Sequence, residues 1–190
     1  MEALKIGFAM CGSFCTFERV VKQIKKLKDL GYDLLPIMSC SAYTTDTRFG
    51  KAETFIKRIE NICEASVLHT LTQVEPFGPK AILDALIVAP CTGNTTAKIA
   101  NGISDTPVSL AVKAHLRNER PVIIAVSSND ALSANAQNIG KLLNTRNIFF
   151  VPFEQDDAEK KPRSIVAVME QIPQTLDLAL KGNQIQPILL

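Results

Sequence analysis

Residues 85–100 read ALIVAPCTGNTTAKIA, and this stretch decides the fold. Its first five residues, ALIVA, form a continuous apolar run, which is typical of a strand buried on both faces. The small polar residues from Thr92 to Thr95 then indicate a loop, and a helical pattern follows from Thr96 to Ala100. The stretch therefore predicts a strand, a small polar loop and a helix in immediate succession.

The same pattern recurs on both sides of this stretch. Four further strands are predicted at 5–10, 33–38, 122–126 and 148–151. Helices are predicted from Phe17 to a stop at Gly31, and at 51–64, 79–83, 108–116 and 164–181. The polar segment 154–163 is expected to be an irregular surface or subunit-contact loop. Apolar strands that alternate with helices predict an α/β fold with three layers, a flavodoxin-like (Rossmann-like) parallel sheet with helices on both faces, in a single domain covering 1–190.

Composition and charge exclude several classes of protein. The 21 Lys and Arg residues nearly balance the 19 Asp and Glu residues, so nucleic acid is not an expected partner. No apolar run is long enough for a membrane span and no leader is recognisable, which favours a cytoplasmic location. The five cysteines show no paired CxxC pattern, so neither disulfides nor a metal site is expected. Cys11 and Cys15 are interpreted as small reduced residues in a tight turn, although a reactive thiol is an alternative.

Four of the five predicted strand ends open into small polar loops that should meet at one edge of the sheet. Such loops, with their N–H groups and hydroxyls, can cradle a phosphate; the alternative is that they only cap the helices that follow. Neither GxGxxG nor a P-loop is present, so a mononucleotide such as FMN fits better than NAD. The predicted cofactor-binding residues are Gly12, Ser13, Phe14, Ser39, Ser41, Thr92, Gly93, Asn94, Thr95, Ser127 and Asn129.

Residues 89–105, APCTGNTTAKIANGISD, resemble the APATANTIAKxAxGIAD motif of the flavoprotein family that includes cysteine-type decarboxylases. Gly12-Ser13, Ser39 to Ser41 and Asn129 match the same family. Residues 75–80, EPFGPK, and the segment 151–167, VPFEQDDAEKKPRSIVA, resemble one branch of it, the B subunits of dipicolinate synthases. The resemblance implies a flavodoxin-like fold, an FMN site and homo-oligomeric packing. It also implies a role with an A subunit in converting dihydrodipicolinate to dipicolinate during sporulation.

Other functions on the same scaffold stay open. The decarboxylases have a histidine at the start of the helix before the motif strand, whereas residues 74–79 here contain none. His69 is interpreted as a partly buried residue near a loop and His115 as a surface residue, and no catalytic residue is assigned. A flavin-dependent decarboxylase and a non-catalytic flavin- or phosphate-binding subunit are the alternatives. A prenyl transferase is disfavoured because the sequence shows no recognisable prenyl-phosphate clamp. A flavodoxin-type electron carrier is disfavoured because Trp is absent.

A small planar dicarboxylate substrate calls for cationic groups on two sides of a flat slot. Lys161 and Arg163 are the candidates, and the alternative is a solvated basic cluster that offsets the neighbouring acidic residues. The hydride acceptor could be the flavin or NAD(P) on the A subunit. A neighbouring protomer is expected to roof the flavin ring, and the apolar tail 188–190 is either part of that interface or frayed.

Overall fold

The computed structural model describes residues 3–190. The strands are β1 (Lys5–Met10), β2 (Asp33–Met38), β3 (Ala85–Cys91), β4 (Val122–Ser128), β5 (Ile148–Phe150), β6 (Phe153–Asp157) and β7 (Lys161–Ala167). The helices are α1 (Phe17–Asp29), α2 (Cys40–Thr44), α3 (Ala52–Cys63), α4 (Leu71–Val74), α5 (Phe77–Lys80), α6 (Gly93–Ala100), α7 (Pro107–Arg117), α8 (Ala136–Leu143) and α9 (Ile172–Ala179).

These strands form one mixed sheet in the order β2-β1-β3-β4-β7-β6, with β5 also paired to β4. The strands β1 to β5 run parallel, as predicted, and their carboxyl ends meet at one edge. The strand β4 changes partner along its length. Its residues Val122 to Ile124 pair with β5, and Ser127 and Ser128 pair antiparallel with β7. The predicted flavodoxin-like fold is confirmed, with an antiparallel hairpin added to the parallel sheet.

The core forms because apolar strands are covered on both faces. Every residue of β3 is buried. On one face lies α1, whose Val20, Ile24 and Leu27 are fully buried while its lysines point to solvent, and α9 packs beside it. On the other face lies α7, with α4, α5 and α6 packed around it. Within residues 3–190, no helix combines the length and apolar character that crossing a membrane requires.

Two predictions near the end of the chain are wrong. The segment 154–163 is not irregular, because β6 and β7 form a hairpin there, hereafter the β6–β7 hairpin. The last helix does not begin at Ser164, because residues up to Ala167 belong to β7; α9 begins at Ile172 with Pro173 in its first turn. The hairpin was missed because the side chains of Glu154, Gln155 and Lys161 are exposed, so the segment shows no apolar alternation.

Other helix predictions also need correction. The helix expected at 79–83 spans Phe77–Lys80 instead, because Ala81 adopts a left-handed conformation with φ of 45° and ends it. Three helices were not predicted, α2, α4 and α8, each of eight residues or fewer. His115 is not a surface residue: it lies in α7 at 3% exposure.

The C-terminal tail is ordered against the sheet. Leu189 pairs with Phe153 at the outer edge of β6, and the Ile188 carbonyl accepts a hydrogen bond from the Phe153 amide. Leu189 and Leu190 nevertheless expose 67% and 55% of their surface. The tail is therefore not frayed, and two apolar side chains remain available at this edge.

Candidate functional site

A cleft of about 570 Å³ lies at the carboxyl ends of β1, β3 and β4. Its walls are the loop between β1 and α1, the start of α6, the end of β4 and the β6–β7 hairpin. The predicted site residues that line it are Gly12, Ser13, Phe14, Thr92, Gly93, Asn94, Ser127, Asn129 and Lys161. The structure therefore brings together the loops of three strand ends and one predicted substrate residue.

Four predicted residues lie outside the lining of the cleft: Ser39, Ser41, Thr95 and Arg163. Ser41 still adjoins it, since a Cβ atom placed on Gly12 would lie 3.1 Å from the Ser41 Oγ. Thr95 is buried, and its hydroxyl donates a hydrogen bond to the Cys11 Sγ at 3.2 Å. Burial raises the pKa of Cys11 to about 11, so this residue is a neutral thiol under the floor of the cleft.

The hydroxyls of Ser13, Ser39 and Thr92 differ in whether they cap the helices that follow them. Ser39 caps α2 by accepting a hydrogen bond from the Ala42 amide at 3.2 Å. The side chain of Thr92, at the N-cap position of α6, accepts no capping bond from the described residues, and neither does that of Ser13. The Ser13 hydroxyl instead lies 2.7 Å from that of Ser127, across the floor of the cleft. The Thr92 hydroxyl donates to the Thr95 Oγ1 at 3.3 Å, within the first turn of α6, so of these three hydroxyls only that of Ser13 is directed across the cleft.

The start of α6 is closely packed against the end of β4. A Cβ atom on Gly93 would lie 2.4 Å from the Ser128 Oγ and 2.7 Å from the Asp130 Oδ1. Ser128 and Asp130 hydrogen bond to each other. Asn135, at 2% exposure, lies behind them, and its Nδ2 has no hydrogen-bond partner among the described residues. Glycine at position 93 therefore lets the start of α6 lie against Ser128 and Asp130, where a Cβ atom would clash.

The charges around the cleft are mostly paired. Lys161 Nζ lies 2.6 Å from Asp156 Oδ2, and this hydrogen bond raises the pKa of Lys161. Arg19 forms two hydrogen bonds with Glu170, at 3.1 and 2.7 Å. Asp130 places a carboxylate at the start of α6, which disfavours a second anion there. The side of the cleft near Gly12 and Ser13 offers neutral donors instead.

Several lining residues were missed by sequence reasoning, notably Phe49, Asp130 and Ser164. Asp130 directly follows the predicted Asn129, so extending the loop by one residue would have found it. Ser164 reaches the cleft from the unpredicted hairpin, where its hydroxyl lies 3.4 Å from the Asn129 Oδ1. Phe49 lies between α2 and α3, and the sequence carries no signal that this loop reaches the cleft.

Neither histidine lines the cleft in the part of the chain described. His69 is half-buried, as predicted, and its ring stacks on Tyr43 with the ring centroids 3.7 Å apart. Burial, and to a smaller extent the charge of the nearby Arg120 guanidinium, lower the pKa of His115 to about 4. His115 is therefore a neutral core residue of α7.

The residues present fit a flavin mononucleotide. The backbone of Gly12 and the side chains of Ser13, Thr92 and Ser127 line the cleft and suit a ligand with many acceptors. Phe14 adds an apolar face to the same cleft. These donors are neutral, which matches a phosphate held by N–H groups and hydroxyls.

Comparison with known proteins agrees with this geometry. The family model described as Flavoprotein matches residues 1–177. The B subunit of dipicolinate synthase from Bacillus subtilis (strain 168) is 44% identical over all of this chain and 95% of its own length. The crystal structure of the B subunit of dipicolinate synthase from Bacillus halodurans C matches with a TM-score of 0.90 and 43% identity, covering 100% of this chain and 98% of that one.

A more distant relative shares the same architecture. The FMN-dependent cysteine decarboxylase TvaF from thioviridamide biosynthesis matches with a TM-score of 0.58 and 27% identity, over 75% of this chain and 86% of that one. The match to the B subunits is both longer and closer, and it includes the β6–β7 hairpin. This chain belongs to the Flavoprotein family and, within it, to the B subunits of dipicolinate synthases.

Proposed function

We propose that this chain is the flavin-binding B subunit of a dipicolinate synthase. With an A subunit it converts dihydrodipicolinate to dipicolinate during sporulation, in the cytoplasm. The observation that carries the proposal is the 44% identity to the Bacillus subtilis protein over 95% of its length. The cleft supports it, because its neutral donors suit a flavin phosphate and Lys161 offers a cation for a carboxylate.

The cofactor-binding residues divide into two groups by charge. Gly12, Ser13, Ser39 and Ser41 hold the phosphate end, away from the Asp130 carboxylate. The ring end is held by the remaining predicted residues: Phe14, Thr92, Gly93, Asn94, Ser127 and Asn129. Thr95 lies beneath the cleft and holds the loop between β1 and α1 in place through its hydrogen bond to Cys11.

The reaction removes a hydride and a proton from the dihydropyridine ring, which becomes aromatic. Bound FMN supplies a hydride acceptor, and NAD(P) on the A subunit is the alternative acceptor. The residues of this chain bind and orient the dicarboxylate: Lys161 pairs with a carboxylate, and the β6–β7 hairpin forms the wall of the cleft beside it.

The test is to titrate the purified chain with FMN, with and without an A subunit, and to follow dipicolinate by its ultraviolet absorbance. The proposal predicts FMN binding by this chain and dipicolinate formation that needs both chains. A chain that binds FMN but leaves the rate of the A subunit unchanged would contradict the synthase role.

One observation favours the non-catalytic alternative, a flavin- or phosphate-binding subunit that supports its partner. Within residues 3–190, no histidine lines the cleft as a candidate acid or base. The same observation weakens the decarboxylase alternative. Stoichiometric FMN that is never reduced when the A subunit turns over would favour the non-catalytic role.

The chain is further proposed to work as a homo-oligomer in which a neighbouring protomer roofs the flavin ring. The chain has no Trp to cover the ring, and Leu189 and Leu190 remain exposed at the sheet edge. Sedimentation at micromolar concentration should show an assembly larger than one chain, whereas a monomer at that concentration would contradict this.

A further inference from the structure

The turn between α2 and α3 places two side chains, Arg48 and Phe49, at its tip. Thr47 and Gly50 close the turn with two backbone hydrogen bonds of 3.0 Å, and the Phe49 amide donates to the Thr47 Oγ1 at 3.2 Å. Asp46 fastens it to the start of α3 by accepting a hydrogen bond from the Ala52 amide at 2.8 Å. The tip is therefore held in one conformation before any ligand binds.

Gly50 fixes the other side of the turn. Its φ of 144° lies in a region that favours glycine, and a Cβ atom there would lie 2.8 Å from the Phe55 ring. The turn therefore packs directly on the buried Phe55 of α3. This contact directs the tip away from the core, toward the cleft.

Phe49 lines the cleft and is 44% exposed, which is unusual for a large aromatic side chain. The Arg48 guanidinium lies 4.9 Å from the centroid of the Phe49 ring, over its face. Stacking on an aromatic ring orients the guanidinium and leaves its N–H groups free to donate. A cleft-lining aromatic ring, Phe49, thus carries an oriented cation, Arg48, over one of its faces.

Arg48 differs from the two cations that line the cleft. Lys161 is paired with Asp156, and Arg19 is held by both oxygens of Glu170. Arg48 forms no ion pair with any carboxylate in residues 3–190. Its fork is therefore available to a ligand without breaking an existing pair.

We propose that Arg48 and Phe49 determine specificity for a planar aromatic dicarboxylate. Phe49 stacks on the ring of the ligand, and the Arg48 fork binds one of its two carboxylates. The inference rests on the proposed function and adds to it a recognition element on the turn between α2 and α3. It assigns the second carboxylate clamp that Lys161 alone does not supply.

The test compares two ligands on the FMN-loaded chain with its A subunit: dipicolinate, with two carboxylates, and picolinate, with one. Arg48→Gln should weaken dipicolinate binding about 10-fold or more, as expected when a charge-assisted pair is lost. It should also bring the affinities for dipicolinate and picolinate closer together. An unchanged ratio of the two dissociation constants would overturn the role of Arg48.

A second variant examines the ring contact. Phe49→Leu keeps an apolar side chain but removes the planar face. It should weaken the binding of dipicolinate and of picolinate by similar factors of about 3 to 10. FMN affinity should stay at the wild-type value in both variants. A parallel loss of FMN affinity would mean that the turn serves the flavin, and would overturn the inference.

Arg146→Gln is the matched control. Arg146 is 82% exposed and lies before β5, at the opposite edge of the sheet from the cleft. The Arg146→Gln substitution should change the affinity for neither dipicolinate nor picolinate. If the wild-type pair neither binds nor forms dipicolinate, the proposed function fails together with the inference; a working wild type with unaffected Arg48→Gln and Phe49→Leu variants refutes the inference alone.

Discussion

Among the glycines of the described residues, Gly93 has the least room for a side chain. Gly93→Ala is expected to lower the free energy of unfolding by about 1 to 3 kcal/mol, because the added Cβ overlaps Ser128 and Asp130. The displaced side chains should also reduce FMN affinity. Urea denaturation and FMN titration measure the two effects.

Gly140 provides the control for this prediction. It lies inside α8, and no described atom beyond its own helix lies within 4 Å of a Cβ placed there. Gly140→Ala should therefore raise the free energy of unfolding by about 0.5 to 1 kcal/mol, the usual gain in helix propensity. If the two substitutions changed the free energy of unfolding equally, the crowding at Gly93 would have no effect on stability.

Ser41 tests the phosphate end of the cofactor site. Its hydroxyl faces Gly12 and contacts Ser39 at 3.2 Å. Ser41→Ala should weaken FMN binding by about 1 to 3 kcal/mol, measured by fluorescence titration of the flavin. Ser66→Ala, an exposed serine outside the cleft, should not change the affinity; wild-type affinity in Ser41→Ala would place the phosphate elsewhere.

At the scale of elements, α7 carries a group that links stability to pH. His115 has a pKa of about 4 in the fold, below the ordinary 6.5. Between these values the unfolded chain binds a proton that the folded chain does not, so stability falls as the pH drops from 6.5 toward 4. The pKa shift corresponds to a decrease of about 3 kcal/mol in the free energy of unfolding across this pH range.

Denaturation curves at several pH values would measure this loss, with His115→Gln as the comparison. Asp84 opposes the lowered pKa and Arg120 adds to it, and carboxylates also titrate in this range. The difference between the two proteins therefore isolates the histidine. If the two stability profiles stay parallel from pH 7 to pH 4, this account of His115 is wrong.

The β6–β7 hairpin allows the two predicted substrate residues to be separated. Lys161 lines the cleft, whereas Arg163 does not. Lys161→Gln should lower dipicolinate formation about tenfold or more, since a charge-assisted contact with a carboxylate is lost, while Arg163→Gln should have a smaller effect. Steady-state rates with the A subunit decide between them, and the thermal midpoint of both variants should match the wild type. A larger loss for Arg163→Gln would reverse the assignment.

The elements that could be predicted were those whose apolar residues form a clear run or a clear period. The strands β1 and β2 match the predicted bounds because each is an apolar run between polar loops. The helix α8 was missed because only Ile139 and Leu142 are buried, too few to show a period. The hairpin was missed because most of β6 and the first three residues of β7 are exposed, so the segment shows no apolar alternation.

The candidate site was predictable for a topological reason. Parallel strands bring their carboxyl ends together, so the loops after β1, β3 and β4 had to meet. Phe49 and Ser164 could not be predicted, because they reach the cleft through the packing of the α2–α3 turn and of the hairpin. Such contacts depend on tertiary structure and leave no trace in local sequence.

At the scale of the whole molecule, the prediction of one domain over residues 1–190 has its own test. The Tyr32 hydroxyl donates to Asp177 at 2.7 Å, which joins the end of α1 to α9. Tyrosine fluorescence reports on Tyr32 and Tyr43, the two tyrosines of the chain, and circular dichroism reports on its helices. The two unfolding transitions should coincide in urea. Separate midpoints would indicate units that unfold independently.

The way in which β4 is shared has an evolutionary consequence. The hairpin pairs with only the last two residues of β4, Ser127 and Ser128, while the parallel register of β4 is set by its pairing with β3 and β5. Lengthening or shortening the segment 153–167 therefore leaves the parallel strands in place. Insertions and deletions among relatives should accumulate there, while the loops at the carboxyl ends of the parallel strands keep their arrangement.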